Sequence, residues 1–222
     1  MAEGRISRRS FVKGAAGGVA GLSLVSAGPA IGELGANDKI VVGCIGTGGM
    51  GMAHLRSLAK MKDVTIAAVC DVDQGRCEAA AKEAGTSPKM FKDFRQVLDM
   101  KEIDAVLIAT PGHWHIIPAI AACQAGKDVY VEKPLGHNIR EGRAFVEAAR
   151  KHDRITQVGM QQRSAAHWAN AVRRIRAGEL GKISMVHAWN AWDPKEMFSN
   201  IGFAEDSDPP PGVDYDLWLG PA

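Results

Sequence analysis

Short apolar runs alternate along the chain with longer stretches whose apolar positions fall at helical spacing. The runs at residues 39–45, 64–70, 104–109, 128–134 and 155–159 predict buried parallel strands, with a shorter extended piece near Met90 and Phe91. Helices are predicted over 49–61, 73–84, 94–100, 118–125 and 138–152. Local signals mark their ends: Asp73 fits an N-cap and Gly85 a stop. Pro118 suits a first helical turn that Gly126 closes, and Asn138 with Glu141 resembles a capping box. Thr110-Pro111-Gly112 breaks the strand before it, and the run at 128–134 turns out of the sheet at its last residues. Strands alternating with helices at this pitch predict an α/β class and a doubly wound parallel sheet.

After Gly159 the pattern changes. Residues 165–177 predict a basic helix, residues 183–192 alternate like a half-exposed strand, and the acidic, proline-rich 205–212 reads as a surface loop. At 222 residues and 46% hydrophobic, the chain can bury one full domain and part of another. The expected boundaries are a leader at 1–36, a first domain at 37–160 and a second, partial one at 161–222.

The net charge of +2 leaves no basic footprint, which argues against a nucleic-acid partner. Part of that charge lies in the leader, where paired Arg8 and Arg9 precede Phe11 and Lys13. A weakly apolar stretch at 14–30 follows, as in a twin-arginine export signal, with Ala27 as one cleavage point. A disordered basic tail or an uncleaved anchor are the alternatives, and five glycines in those seventeen residues disfavour a membrane helix. The expected destination is the periplasm or cell surface, reached folded through the twin-arginine machinery. Cys44 and Cys70 fall in predicted strands, Cys77 and Cys123 in predicted helices, and none has a C-x-x-C partner. Buried free thiols are therefore expected.

The stretch 41–55 (VVGCIGTGGMGMAHL) places Gly46, Gly48 and Gly51 between a strand and a helix, as a dinucleotide-binding G-x-G-x-x-G requires. Gly46 permits the turn, Gly48 the approach of phosphates and Gly51 close helix–strand packing. Thr47, Gly49 and Met50 complete the loop, whose helix start offers free N–H groups to a pyrophosphate. Asp71, twenty residues after Gly51, suits the ribose hydroxyls of NAD, while Arg76 could instead reach the 2′-phosphate of NADP.

Read together, GCIGTGGMG, CDVD, ATPGHWH, GKDVYVEKPLGHN and QVGMQQR resemble the Gfo/Idh/MocA oxidoreductases over residues 39–222. The leader and the DYDLWLGPA ending resemble a secreted subgroup of that family. The resemblance implies a Rossmann domain followed by an α+β domain whose open antiparallel sheet covers a sugar or polyol and can pair subunits. It implies NAD, with NADP as the variant, and Lys133 of EKP as acid–base residue at the substrate hydroxyl; an exported protein, without a ready supply of free NAD, is expected to hold its cofactor tightly. A lysine in such a crevice can have its pKa lowered by burial and by the cationic ring. Glu132 is expected to orient it and hold a cofactor ribose. Thr110 and Pro111 match the turn under the nicotinamide ribose, with Gly112 where relatives carry Asn or Asp. His115 is expected to shape the nicotinamide pocket, and Gln161 and Arg163 to meet cofactor or substrate.

No carboxylate or cysteine joins His113 and His115 in a local metal site, so no metal is expected. Trp189 and Trp192 suit either a sugar platform or core packing. Only some sixty residues follow the first domain, so the resemblance implies a truncated chain whose later catalytic motif falls beyond Ala222. Two further readings stand beside the dehydrogenase: a glycoside hydrolase working by transient oxidation, and a nucleotide-binding fragment without activity.

Overall fold

The computed structural model describes residues 39–189 and 205–221. The expected leader and the stretch 190–204, including Trp192, lie outside the described residues. The strands are β1 (Ile40–Ile45), β2 (Val64–Cys70), β3 (Lys89–Phe91), β4 (Ala105–Ile108), β5 (Asp128–Glu132) and β6 (Thr156–Gly159). They form one sheet in the order β3-β2-β1-β4-β5-β6, every neighbouring pair parallel. That order reverses direction between β1 and β4, opening a crevice at their C-terminal ends.

Helices cover both faces because the strands are apolar on both. On one face α1 (Gly49–Leu58) and α2 (Gln74–Ala84) bury Leu55, Cys77 and Ala80 against Val42, Cys44 and Val69. On the other α3 (Phe94–Asp99), α4 (Ile116–Gln124) and α5 (Ile139–Lys151) bury Val97, Ala119 and Phe145 against Val106, Ile108 and Val131. The caps form where the side chains suggested: Asp73 accepts from the Arg76 amide, Asn138 accepts from the Glu141 amide, and Gly85 ends α2 in the left-handed region.

Three features depart from the predicted pattern. A 3-10 turn at Gly112–Trp114 precedes α4, whose first turn does contain Pro118. Residues 183–189 carry no strand and are exposed, Trp189 at 82%. Alternation alone does not make a strand, whose backbone needs a paired neighbour, and none lies beside this segment among the described residues. Beyond the 3-10 turn Gln161–Ser164 and the basic helix α6 (Ala166–Arg176), the chain instead adds a short helix, α7 (Tyr215–Leu219), just past the exposed acidic loop. No antiparallel sheet forms among the described residues, which hold an isolated antiparallel bridge between Asp73 and Val213.

Lys127, between α4 and β5, is 3% exposed and donates from Nζ to the carbonyls of Met100 (2.6 Å) and Ile103 (3.0 Å). It thereby ties the α3–β4 connection to the start of β5. Lys127→Met should remove about 1–3 kcal/mol of stability in urea unfolding, because the Ile103 carbonyl is left buried without its donor. An unchanged midpoint would show that water takes the ammonium's place.

All four cysteines are buried and unpaired. Burial pushes the Cys44 thiol up to about 12 and raises those of Cys70, Cys77 and Cys123 as well. A thiol reagent should therefore modify none of the four in the native protein and all four in denaturant. Rapid native labelling of any one would contradict this packing.

Candidate functional site

The crevice between β1 and β4 is closed so tightly that two positions in its wall admit only glycine. Gly46 has φ +82°, and a Cβ there would sit 2.6 Å from the Thr110 amide nitrogen and 2.8 Å from the Ala109 carbonyl oxygen. A Cβ on Gly51 would collide with the carbonyl oxygen of Gly46. The strand, its loop and the first turn of α1 thus touch backbone to backbone. Helix α1 begins at Gly49 behind Gly48 with no side-chain cap, leaving its first amides open to an anion. Gly49 and Met50 are exposed at that helix start.

Thr47 behaves differently from its neighbours. It is 2% exposed, and both its amide (2.7 Å) and its hydroxyl (3.0 Å) donate to Asp71 Oδ2. Its side chain thus braces the Asp71 carboxylate. Asp71 Oδ1 accepts from the Asp73 amide at 3.0 Å, so the carboxylate is fixed at the end of β2. Arg76 reaches back from α2, its Nη1 lying 3.3 Å from where a Gly48 Cβ would be, while Nε pairs with Asp73 at 3.3 Å. Asp71 and Arg76 therefore line one cavity of about 200 Å³ with Gly46, Gly48, Thr110 and Pro111.

At the β4 end, the Thr110 hydroxyl oxygen is buried and has no hydrogen-bond partner among the described residues. An orphaned polar atom beside a glycine cradle fits a ligand that brings its own polar groups. His115 is 2% exposed and lies between two backbone carbonyls, with Nδ1 2.6 Å from Pro134 O and Nε2 2.8 Å from Thr110 O. It joins the loop after β4 to the loop after β5.

That second loop carries Lys133, which leaves the sheet just past Glu132 and is joined to Pro134 by a cis peptide. Lys133 is exposed, so the described residues do not supply the burial anticipated for it. Glu132 is 3% exposed, and it holds Lys133 through the backbone: Oε2 accepts the Lys133 amide at 3.1 Å. Oε1 lies 2.7 Å from His54 Nε2 on α1. Tyr130 shares the cluster, its ring edge-on to His54, and burial followed by the Glu132 charge raises the Tyr130 pKa. A Cβ at Gly159 would come within 2.8 Å of the Tyr130 hydroxyl, which explains the glycine on β6. Gln161 and Arg163 lie in the exposed 3-10 turn after β6. Glu132 and Gly159 are register partners, so this turn leaves the same sheet edge as Lys133. His54 carries no local motif, and only the fold brings it to Glu132.

Among the described residues, no group of His, Cys, Asp or Glu is arranged to hold a metal ion. His113 instead packs its ring edge-on against Trp218.

The chain is 33% identical over 147 residues to inositol 2-dehydrogenase of Salmonella paratyphi B, covering 65% of this chain and 44% of that protein. It is 37% identical over 139 residues to the scyllo-inositol 2-dehydrogenase (NAD(+)) of Bacillus subtilis, covering 62% and 40%. Its fold matches that of the scyllo-inositol dehydrogenase from Lactobacillus casei, solved with bound NAD(H) and scyllo-inositol. There the TM-score is 0.62 at 28% identity, over 66% of this chain and 43% of that one. The chain spans less than half the length of each of these proteins. Residues 40–160 match the Gfo/Idh/MocA family, described as "Oxidoreductase family, NAD-binding Rossmann fold", and the chain belongs to that family.

Proposed function

We propose that the protein is an NAD-dependent dehydrogenase of a ring polyol or closely related sugar, with Lys133 as its general acid–base residue. The observation that carries this reading is one of convergence. The glycine cradle, the unpartnered Thr110 hydroxyl and the Lys133 loop occupy the C-terminal ends of the adjacent strands β1, β4 and β5. The three inositol dehydrogenases to which the chain is compared above support a cyclic polyol as the substrate class.

When bound, NAD supplies the acceptor for hydride from the carbon that bears the reacting hydroxyl. The amides at the start of α1 hold its pyrophosphate, and Asp71, braced by Thr47, accepts from the adenosine ribose. Thr110 offers its hydroxyl to the cofactor, and Gln161 and Arg163 stand at the same sheet edge to meet cofactor or substrate. Lys133 would serve as the base toward the substrate hydroxyl in oxidation and as the acid in the reverse direction. Glu132 and His115 hold the Lys133 loop in register with the loop after β4. The paired Arg8 and Arg9 support export of the folded, cofactor-loaded protein by the twin-arginine route.

Lys133→Ala should lower turnover of inositols by about 10²–10⁴-fold while leaving NAD affinity, measured by calorimetry, unchanged. Unaltered turnover would remove Lys133 from the chemistry, and no reduced cofactor from any inositol or sugar in the wild type would sink the dehydrogenase reading.

Thr110→Val keeps the shape of the side chain and removes the orphaned hydroxyl. The variant should be as stable as the wild type or up to about 1 kcal/mol more so, yet bind NAD several-fold more weakly. Equal NAD affinity would show that Thr110 makes no bond to the cofactor.

A further inference from the structure

The family match ends at residue 160, but the cavity beside Asp71 does not end with that domain. Leu217 and Trp218 of α7 line it together with Asp71, Val72, Arg76 and Pro111. We infer that residues 212–220 form the outer wall of the adenosine end of the cofactor site, with Trp218 and Leu217 contacting the base. This rests on the reading of the crevice as an NAD site.

The segment is anchored on both sides of the cavity. At its start Asp214 donates its amide to the Val72 carbonyl (3.0 Å), Gln74 donates to the Gly212 carbonyl (3.1 Å), and Val213 bridges Asp73. These contacts lie immediately beside Asp71, the ribose residue. Lys92 pairs with Asp214 at 3.8 Å, and Asp214 caps α7 by accepting the Leu217 amide. At the far side the Trp218 carbonyl accepts from Trp114 Nε1 (3.1 Å) and lies 2.9 Å from His113 Nε2, both in the turn after β4. Gly220, at φ +49°, runs so close to the Trp114 ring that a Cβ would collide with it. The segment therefore crosses the mouth of the crevice from the β2 end to the β4 end.

What it presents there suits a flat heteroaromatic ring. Trp218 stacks on Tyr215 with centroids 5.7 Å apart and planes 8° apart, and it meets His113 edge-on. Even so packed, Trp218 remains 38% exposed, leaving surface for a base to cover. Stacking on an aromatic face is a common means of holding a purine. Asp71 at the inner side supplies the acceptor for the ribose hydroxyls. The wall thus adds an adenosine contact from outside the sheet domain, and predicts that the adenosine half of NAD is held by residues far apart in sequence.

Calorimetry on the full chain with AMP, NAD and nicotinamide mononucleotide tests this. Trp218→Ala should weaken AMP and NAD by the same factor, about tenfold (about 1.4 kcal/mol), and leave nicotinamide mononucleotide unaffected. Trp218→Phe should recover most of the loss. Unchanged AMP and NAD affinity overturns the inference, as does an equal loss for nicotinamide mononucleotide, which would signal general loosening. If Trp218→Ala no longer unfolds cooperatively, Leu217→Ala and Trp218→Phe decide: weaker AMP binding in Leu217→Ala supports the wall, and wild-type affinity in both overturns it. A wild type that binds neither AMP nor NAD instead overturns the cofactor reading beneath it.

Discussion

The backbone contact at the switch between β1 and β4 sets everything else in this molecule. The Gly46 turn lies against Ala109 and Thr110, and α1 begins so near that turn that Gly51 has no room for a side chain. Because the helix starts there, its free amides face the crevice. Because β4 ends there, Thr110, Pro111 and Trp114 face it too. A single extra methyl at either glycine would push apart the elements that define the site.

From that contact two braces extend in opposite directions along the sheet. Thr47 fixes Asp71 on the β2 side through two donors to one carboxylate oxygen. On the β5 side His115 links the two loops, while Glu132, held against His54, grips the Lys133 amide. Each brace centres on buried side chains, Thr47 on one side and His115 with Glu132 on the other, where an unmet polar group is costly. Between the braces the Thr110 hydroxyl has no partner among the described residues, and the Lys133 side chain stays exposed.

Much of this was legible in the residues because local rules decide it. Val64–Cys70 is a strand with the predicted ends, Asp73 and Gly85 bound α2 as cap and stop, and Asn138 caps α5. The glycine loop and Asp71 follow from the same logic, since their spacing is set by one strand-helix-strand unit. Legibility failed where the deciding partner is remote. His54 carries no motif, and its role depends on Glu132, 78 residues away. Residues 183–189 alternate as a strand would, yet a strand needs an edge to pair with. The short helix in the DYDLWLGPA stretch and its place against Val72 and Trp114 depend likewise on tertiary contacts.

The returning segment is also separable from the sheet it rests on. Its hydrogen bonds to the β4 turn join residues 104 and 105 positions apart, among the least local contacts in the fold. Yet α7 is no part of the six-stranded sheet, and detaching it breaks none of the ladder that holds the domain together. Local release of this kind costs far less than global unfolding. Release of these few residues would thus leave the hydrogen-bond ladder of the sheet beneath intact.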